Sequence, residues 1–438
     1  MQEKETGKRG KRKRLLFRDD YSIIKGRFQN EYKSGQGGIQ MKYNFTDMID
    51  RHGKDAIAAE VIPYADAQVK EGFDRIPMWI ADMSFATVPS VPEKIMERTA
   101  HALYGYFEPK EEYYNAIIRW QEMRNGVQGL TKECIGYENG VLGGVVSALN
   151  VICSKGDKVL LHSPTYVGFT GSLENNGYDI VLSPLKQDEN GVWRMDFEDM
   201  EAKLREQSIH AAIFCSPHNP CGRVWERWEL ERAMELFQKY DVMVVADEIW
   251  SDIILGDNRH IPVQSVSEDA RMRTAAFYAP SKTFNLAGMI GSYHIIYNKW
   301  LRDRVLKESS LSHYNSMNVL SMYALIGAYS KEGAEWADEL RQVLQENVTY
   351  ACDYIDKYFP GVSVARPQGT YMLLLDCSKW CAEHEKTIDE IQKAGVEVGV
   401  IWQDGRPFHS ACGIRMNLAL PKARLVEAME RLHKYVFV

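Results

Sequence analysis

Between residues 141 and 297, short β-branched or aromatic runs alternate with longer segments of helical period, and this alternation restricts the fold more than any other property of the chain. The strand-like runs are 158–161, 179–182, 211–215, 242–246, 274–278 and 292–297. The helix-like segments between them include 141–153, 166–175, 196–206 and 226–239. Strands separated by helices pair in parallel and need cover on both faces, so the pattern predicts an α/β fold with a mostly parallel sheet wrapped by helices. A further helix is expected near 92–103, a long helical stretch from 300 to about 358, and short strands with a closing helix at 423–435 after that. Residues 43–51 and 76–83 read as an N-terminal arm, and the polar segment 55–74 between them has no clear period.

With 438 residues and 45% apolar content, the chain can bury a large core and is expected to divide into two subdomains of one unit. A formal charge of -7 gives the bulk surface no pull toward nucleic acid or anionic membrane. Eight scattered cysteines and no transmembrane-length apolar run point to a cytoplasmic protein. Residues 1–40 differ: Lys8, Arg9, Lys11, Arg12, Lys13 and Arg14 form a basic run without apolar period, which predicts a disordered extension. A second expectation is that translation begins at Met41, because Gly37-Gly38-Ile39-Gln40 can be encoded by a purine-rich ribosome-binding sequence. Cys377, Cys381 and His384 lack the second ligand pair of a zinc site, and no metal is expected.

Three residues at strand ends carry the chemistry: Asn219 in Ser216-Pro217-His218-Asn219-Pro220, Asp247 closing an all-apolar run, and Lys282 in Ala279-Pro280-Ser281-Lys282-Thr283. Open α/β sheets bind ligands at the carboxyl ends of their strands. A lysine amine can bond to an aldehyde, a buried carboxylate can keep a pyridine nitrogen protonated, and an amide can hydrogen-bond a ring hydroxyl, which together suit pyridoxal 5'-phosphate. The flanking prolines make the Asn219 turn rigid, and His218 reads as structural. Gly144, Val145 and Val146, in the small-residue helix start at 140–146, are expected to cup the phosphate. Tyr166, after a strand, can stack on the pyridine ring. Arg415, in a half-buried setting, offers a fork for an α-carboxylate.

Taken together, Pro77-Met78-Trp79-Ile80-Ala81-Asp82-Met83, Gly105-Tyr106, Pro217-His218-Asn219-Pro220 with Gly222-Arg223-Val224-Trp225, Asp247-Glu248-Ile249, Ser281 to Gly288 and Arg415-Met416-Asn417 resemble the fold-type I pyridoxal phosphate enzymes related to class I and II aminotransferases, and most closely the MalY/PatB-like cystathionine β-lyases. The resemblance runs from about Met41 to the C-terminus. It implies a seven-stranded sheet in a large domain at 86–325, an N-terminal arm at 41–85 and a smaller α+β domain completed by 326–438. It also implies a homodimer in which Tyr106 reaches the neighbouring subunit's phosphate, Ser281 contacts the phosphate of its own subunit, and the Ala81 backbone lines the carboxylate pocket beside Asn219. Aminotransferases of the superfamily usually carry an arginine eight residues after the lysine, where Ile290 stands, and the lyases lack it too. Ser84 and Trp250 depart from the lyase pattern, which has Asp and often His there.

The activity these residues imply is β-elimination: Arg415 anchors an amino acid, Lys282 removes its α-proton, Asp247 and Tyr166 support the ring, and a thiol leaves, giving pyruvate and ammonia. Cystathionine and other S-substituted cysteines are the expected substrates. An aminotransferase shares every group up to proton removal and is the rival reading. A cofactor-binding regulatory protein is a third, with the basic extension as its hint.

Overall fold

The computed structural model describes residues 41–311 and 315–438, so the expectations for residues 1–40 and for a start at Met41 lie outside the described residues. Seven strands form the principal sheet: β1 Ile135–Glu138, β2 Lys158–Ser163, β3 Asp179–Pro184, β4 Ile209–Cys215, β5 Met243–Asp247, β6 Thr274–Tyr278 and β7 Ser292–Ile295. Their order is β1-β7-β6-β5-β4-β2-β3, with β7 antiparallel to both of its neighbours and the remaining pairs parallel. Val244, Val245, Ala275, Ala276 and Phe277 are each fully buried. The near-continuous apolar runs therefore reflect a sheet covered on both faces. The fold is that of the α/β class read from the sequence.

Helix α1, Val141–Ile152, starts on Gly140 at φ 89°, a backbone conformation that favours glycine. It then lies close on the sheet, since a Cβ at Gly144 would stand 2.4 Å from the Phe277 ring. Helix α2 is Val167–Asn176, and it ends on Gly177 in the left-handed region. The long helical stretch expected after residue 300 is three helices, Lys299–Ser310, Val319–Ala328 and α3 Lys331–Tyr358. Asn298, Asn318 and Ser330 each cap one of them through the side chain, and these N-caps explain the breaks. The helix expected at 92–103 spans Ser90–Thr99.

A second, wholly antiparallel sheet contains β8 Ser363–Val364, β9 Met372–Asp376, β10 Gln403–Asp404 and β11 Gly413–Asn417, in the order β8-β9-β11-β10. The short helix α4, Ser378–Glu383, follows β9. The arm strand Ile76–Pro77 pairs in parallel with Val400–Ile401. The segment 55–74, unread in the sequence, contains one turn of helix at Ile57–Glu60 and irregular backbone. Phe45–Val438 forms one compact unit.

Candidate active site

Strand register places the site. Cys215, Asp247 and Phe277 sit level across β4, β5 and β6, so the segments leaving these strands converge. A cavity of about 270 Å³ opens there, walled by Ala81, Tyr166, Asn219, Asp247, Ser281 and Lys282, with Gly140 to Gly143, Trp250 and Ile290 completing it.

Burial sets the electrostatics. The Asp247 carboxyl is pushed up to about 6 by loss of water, against the opposing pull of the Ile249 N–H and the Lys282 charge. That N–H donates to Asp247 Oδ1 at 3.1 Å. Burial also pushes the Lys282 amine down to about 8, the Arg415 charge acts in the same direction, and Asp247 opposes. Lys282 Nζ donates to the Ala81 carbonyl at 3.3 Å and lies 5.7 Å from the Trp250 ring centre. Trp250 in turn meets Tyr371 edge-on at 4.7 Å. Tyr166, whose phenol is raised by burial, folds over α2, where a Cβ at Gly168 would come within 2.4 Å of its ring.

Arg415, on β11, is 3% exposed and stands behind Asn219. Its Nη1 donates to Asn219 Oδ1 at 3.1 Å, and its Nη2 donates to the Trp79 carbonyl at 3.2 Å and to Gln403 Oε1. The Phe408 ring covers the guanidinium at 4.4 Å. These partners are neutral oxygens and a ring, Nε has no hydrogen bond, and burial depresses Arg415 to about 10. Among the described residues no carboxylate forms an ion pair with it. A buried cation without an anion is a receptor for one.

Two asparagines clasp the segment 80–83. Asn285 exchanges hydrogen bonds with the Met83 backbone at 3.1 and 2.9 Å. Asn417 Nδ2 donates to the Ile80 and Asp82 carbonyls at 2.7 and 2.6 Å.

The residues expected to cup the phosphate do not line this cavity. Gly144, Val145 and Val146 are not in the cavity wall, because the Gly144 N–H already donates to Gly140 O and Val145 is packed in the core. The helix start before them, from Gly140 to Gly143, borders the cavity instead. Tyr106 lies apart from this cavity and is fully exposed. His218 is buried edge-on to Trp225 at 5.7 Å, and burial drives it down to about 3, which keeps the ring neutral. The roles of Gln403, Asn285 and Asn417 were not read from sequence. Their partners lie 12, 202 and more than 300 residues away, and no local motif signals such contacts.

The residues present fit pyridoxal phosphate. A protonated ring nitrogen would give buried Asp247 a cation, an aldehyde would meet Lys282, and Tyr166 offers a flat face. Ser281 and the start of α1 would receive the phosphate.

The sequence profile described as Aminotransferase class I and II matches residues 76–432. Cystathionine beta-lyase PatB of Bacillus subtilis is 32% identical over 361 residues, covering 82% of this chain and 92% of PatB. Protein MalY of Escherichia coli is 30% identical, covering 89% and 98%. The crystal structure of the PLP-bound C-S lyase from Staphylococcus hominis superposes with a TM-score of 0.82 at 30% identity, covering 92% of this chain and all of that one. The chain thus belongs to the class I and II aminotransferase family, as a relative of its PatB/MalY-like C-S lyases.

Proposed function

We propose that the protein is a pyridoxal phosphate-dependent carbon-sulfur β-lyase that releases a thiol, pyruvate and ammonia from cystathionine or another S-substituted cysteine. The observation that carries this reading is one cavity lined by Lys282, Asp247 and Asn219, with the buried Arg415 donating to Asn219 Oδ1 and ion-paired to no carboxylate among the described residues. Ile290 at the place where aminotransferases usually carry an arginine, and the C-S lyases among the relatives, favour elimination over transamination.

Arg415 would bind the α-carboxylate through its fork, with Asn219 and Gln403 fixing the guanidinium plane, so that the α C–H bond is aimed at Lys282. Lys282 Nζ, lowered toward neutrality by its burial, would take that proton. The bound cofactor supplies the sink for the electron pair this releases. Asp247 would hold the ring-nitrogen proton at its carboxylate, and Tyr166 would exclude water from one face. Trp250, whose ring centre is 5.7 Å from Lys282 Nζ, would contact the departing sulfur group. The exposed Leu103, Tyr104 and Tyr106 support a homodimer that shares its sites, with Tyr106 supplied to the partner's phosphate.

Incubating the cofactor-loaded protein with cystathionine and no keto-acid acceptor tests the reading. Pyruvate formed at a rate proportional to protein supports the lyase. Turnover that needs an acceptor identifies an aminotransferase, and an unreactive protein that keeps its cofactor identifies a regulator.

A further inference from the structure

Three cysteines, two from the segment that gave no zinc pattern in the sequence, meet beside the strand that carries Arg415. Cys412 Sγ stands 3.5 Å from Cys381 Sγ in S–H···S contact, although the two are 31 residues apart. Cys381 lies on α4, and Cys412 sits in the turn that leads into β11 at Gly413. The backbone fixes this meeting: the Cys377 N–H donates to Cys412 O at 3.0 Å, and the Cys381 N–H donates to Cys377 O at 2.8 Å. Gly405 and Gly413 add to it, since a Cβ on Gly405 would come within 2.5 Å of the Gly413 backbone. Cys377 is fully buried, whereas Cys412 is part-exposed. The least buried of the three cysteines is therefore in sulfur contact with a buried one.

We propose that Cys412 and Cys381 form a reversible disulfide, with Cys412 as the entry sulfur and Cys381 as the resolving one. The oxidant is a low-molecular-weight disulfide. Cys412 thiolate attacks one of its sulfurs, forming a mixed disulfide and expelling one thiolate. Cys381 loses its proton to water and attacks the Cys412 sulfur, forming the protein S–S bond and expelling the second thiolate. Two protein thiols are oxidised and one small disulfide is reduced to two thiols. Closing the bond needs the sulfurs to move from 3.5 Å to about 2.05 Å. Cys412 takes the first attack because it is part-exposed where Cys381 is buried, and burial with the neighbouring Cys412 thiol pushes Cys381 up to about 12. The bond ties α4 to the start of β11, three residues before Arg415.

Full-length, cofactor-loaded protein treated with oxidised glutathione and then alkylated tests this by intact mass and non-reducing peptide mapping. The expected result is loss of two hydrogens, a peptide pair linking Cys381 to Cys412, and full reversal by dithiothreitol. Cys412→Ser is expected to abolish the link and Cys134→Ser, a part-exposed cysteine elsewhere, to leave it. A lasting glutathione adduct on Cys412 without a link, a link through Cys377, or no reaction at Cys412 overturns the proposal. The wild-type map decides the matter even if a variant fails to fold, and it does not depend on which reaction the enzyme catalyses.

Discussion

Asp247 is 5% exposed and carries a carboxyl pushed up to about 6, so its ionised form opposes folding when nothing cationic fills the cavity. The native state then holds more protons than the unfolded chain between the ordinary value of 3.8 and about 6. The penalty is therefore absent below that window, grows as pH rises through it, and is complete above. Asp247→Asn should raise the thermal midpoint of cofactor-free protein at pH 7.5, by a stability gain on the order of 2 kcal/mol, while cutting turnover of the loaded protein at least ~100-fold. Calorimetry and a pyruvate assay on the same preparation check both signs. Lys282→Ala should lower kcat by at least ~1000-fold and remove borohydride fixation of the cofactor to the chain. Gln403 offers a finer test, because its neutral oxygen holds Arg415 without cancelling its charge. Gln403→Glu should place an internal anion on the guanidinium and raise KM by about 10-fold or more with kcat less affected. An unchanged KM would remove Gln403 from carboxylate binding.

Helix α2 begins at the Tyr166 ring, and Gly168 gives that ring its place. Gly168→Ala should increase the cofactor dissociation rate by about 10-fold, measured by dilution and absorbance, with far-ultraviolet circular dichroism unchanged. Elements of this kind were unevenly legible. Strands β2 to β6 were read within two residues at either end, because double-sided burial leaves apolar runs that turn residues interrupt. The missing edge strand, Ile135–Glu138, is four residues long and includes Gly136 and Glu138. Its Gly136 is demanded by the His294 ring across the sheet, a contact 158 positions distant. The meeting of Lys282, Asp247 and Asn219 was legible because Asp247 closes β5 and the other two lie four residues past the ends of β6 and β4, and segments leaving one sheet edge converge. The turn that borders the cavity lies a few residues before Gly144, Val145 and Val146, since glycine pairs mark both a helix start and a helix lying close on a sheet. Here Gly140 does the first and Gly144 the second.

Across the whole molecule, the proposed dimer predicts complementation. Tyr106→Ala and Lys282→Ala damage different subunits' contributions to one site, so mixing the two inactive variants should restore roughly a quarter of wild-type activity, as random pairing leaves one intact site in half of the dimers. No recovery after verified subunit exchange would leave each site within a single chain. Within one chain, a comparable union is already visible. Asn285, three residues past Lys282, and Asn417, two past Arg415, grip the same four residues, 80–83. That short stretch is a common footing for two tools that sequence separates by more than a hundred positions. In the proposed reaction, whatever tugs on the arm that would receive the substrate's acid group is felt at the arm that would take its proton, so grip and cut would be geared together, and loosening either asparagine should blur the timing between them.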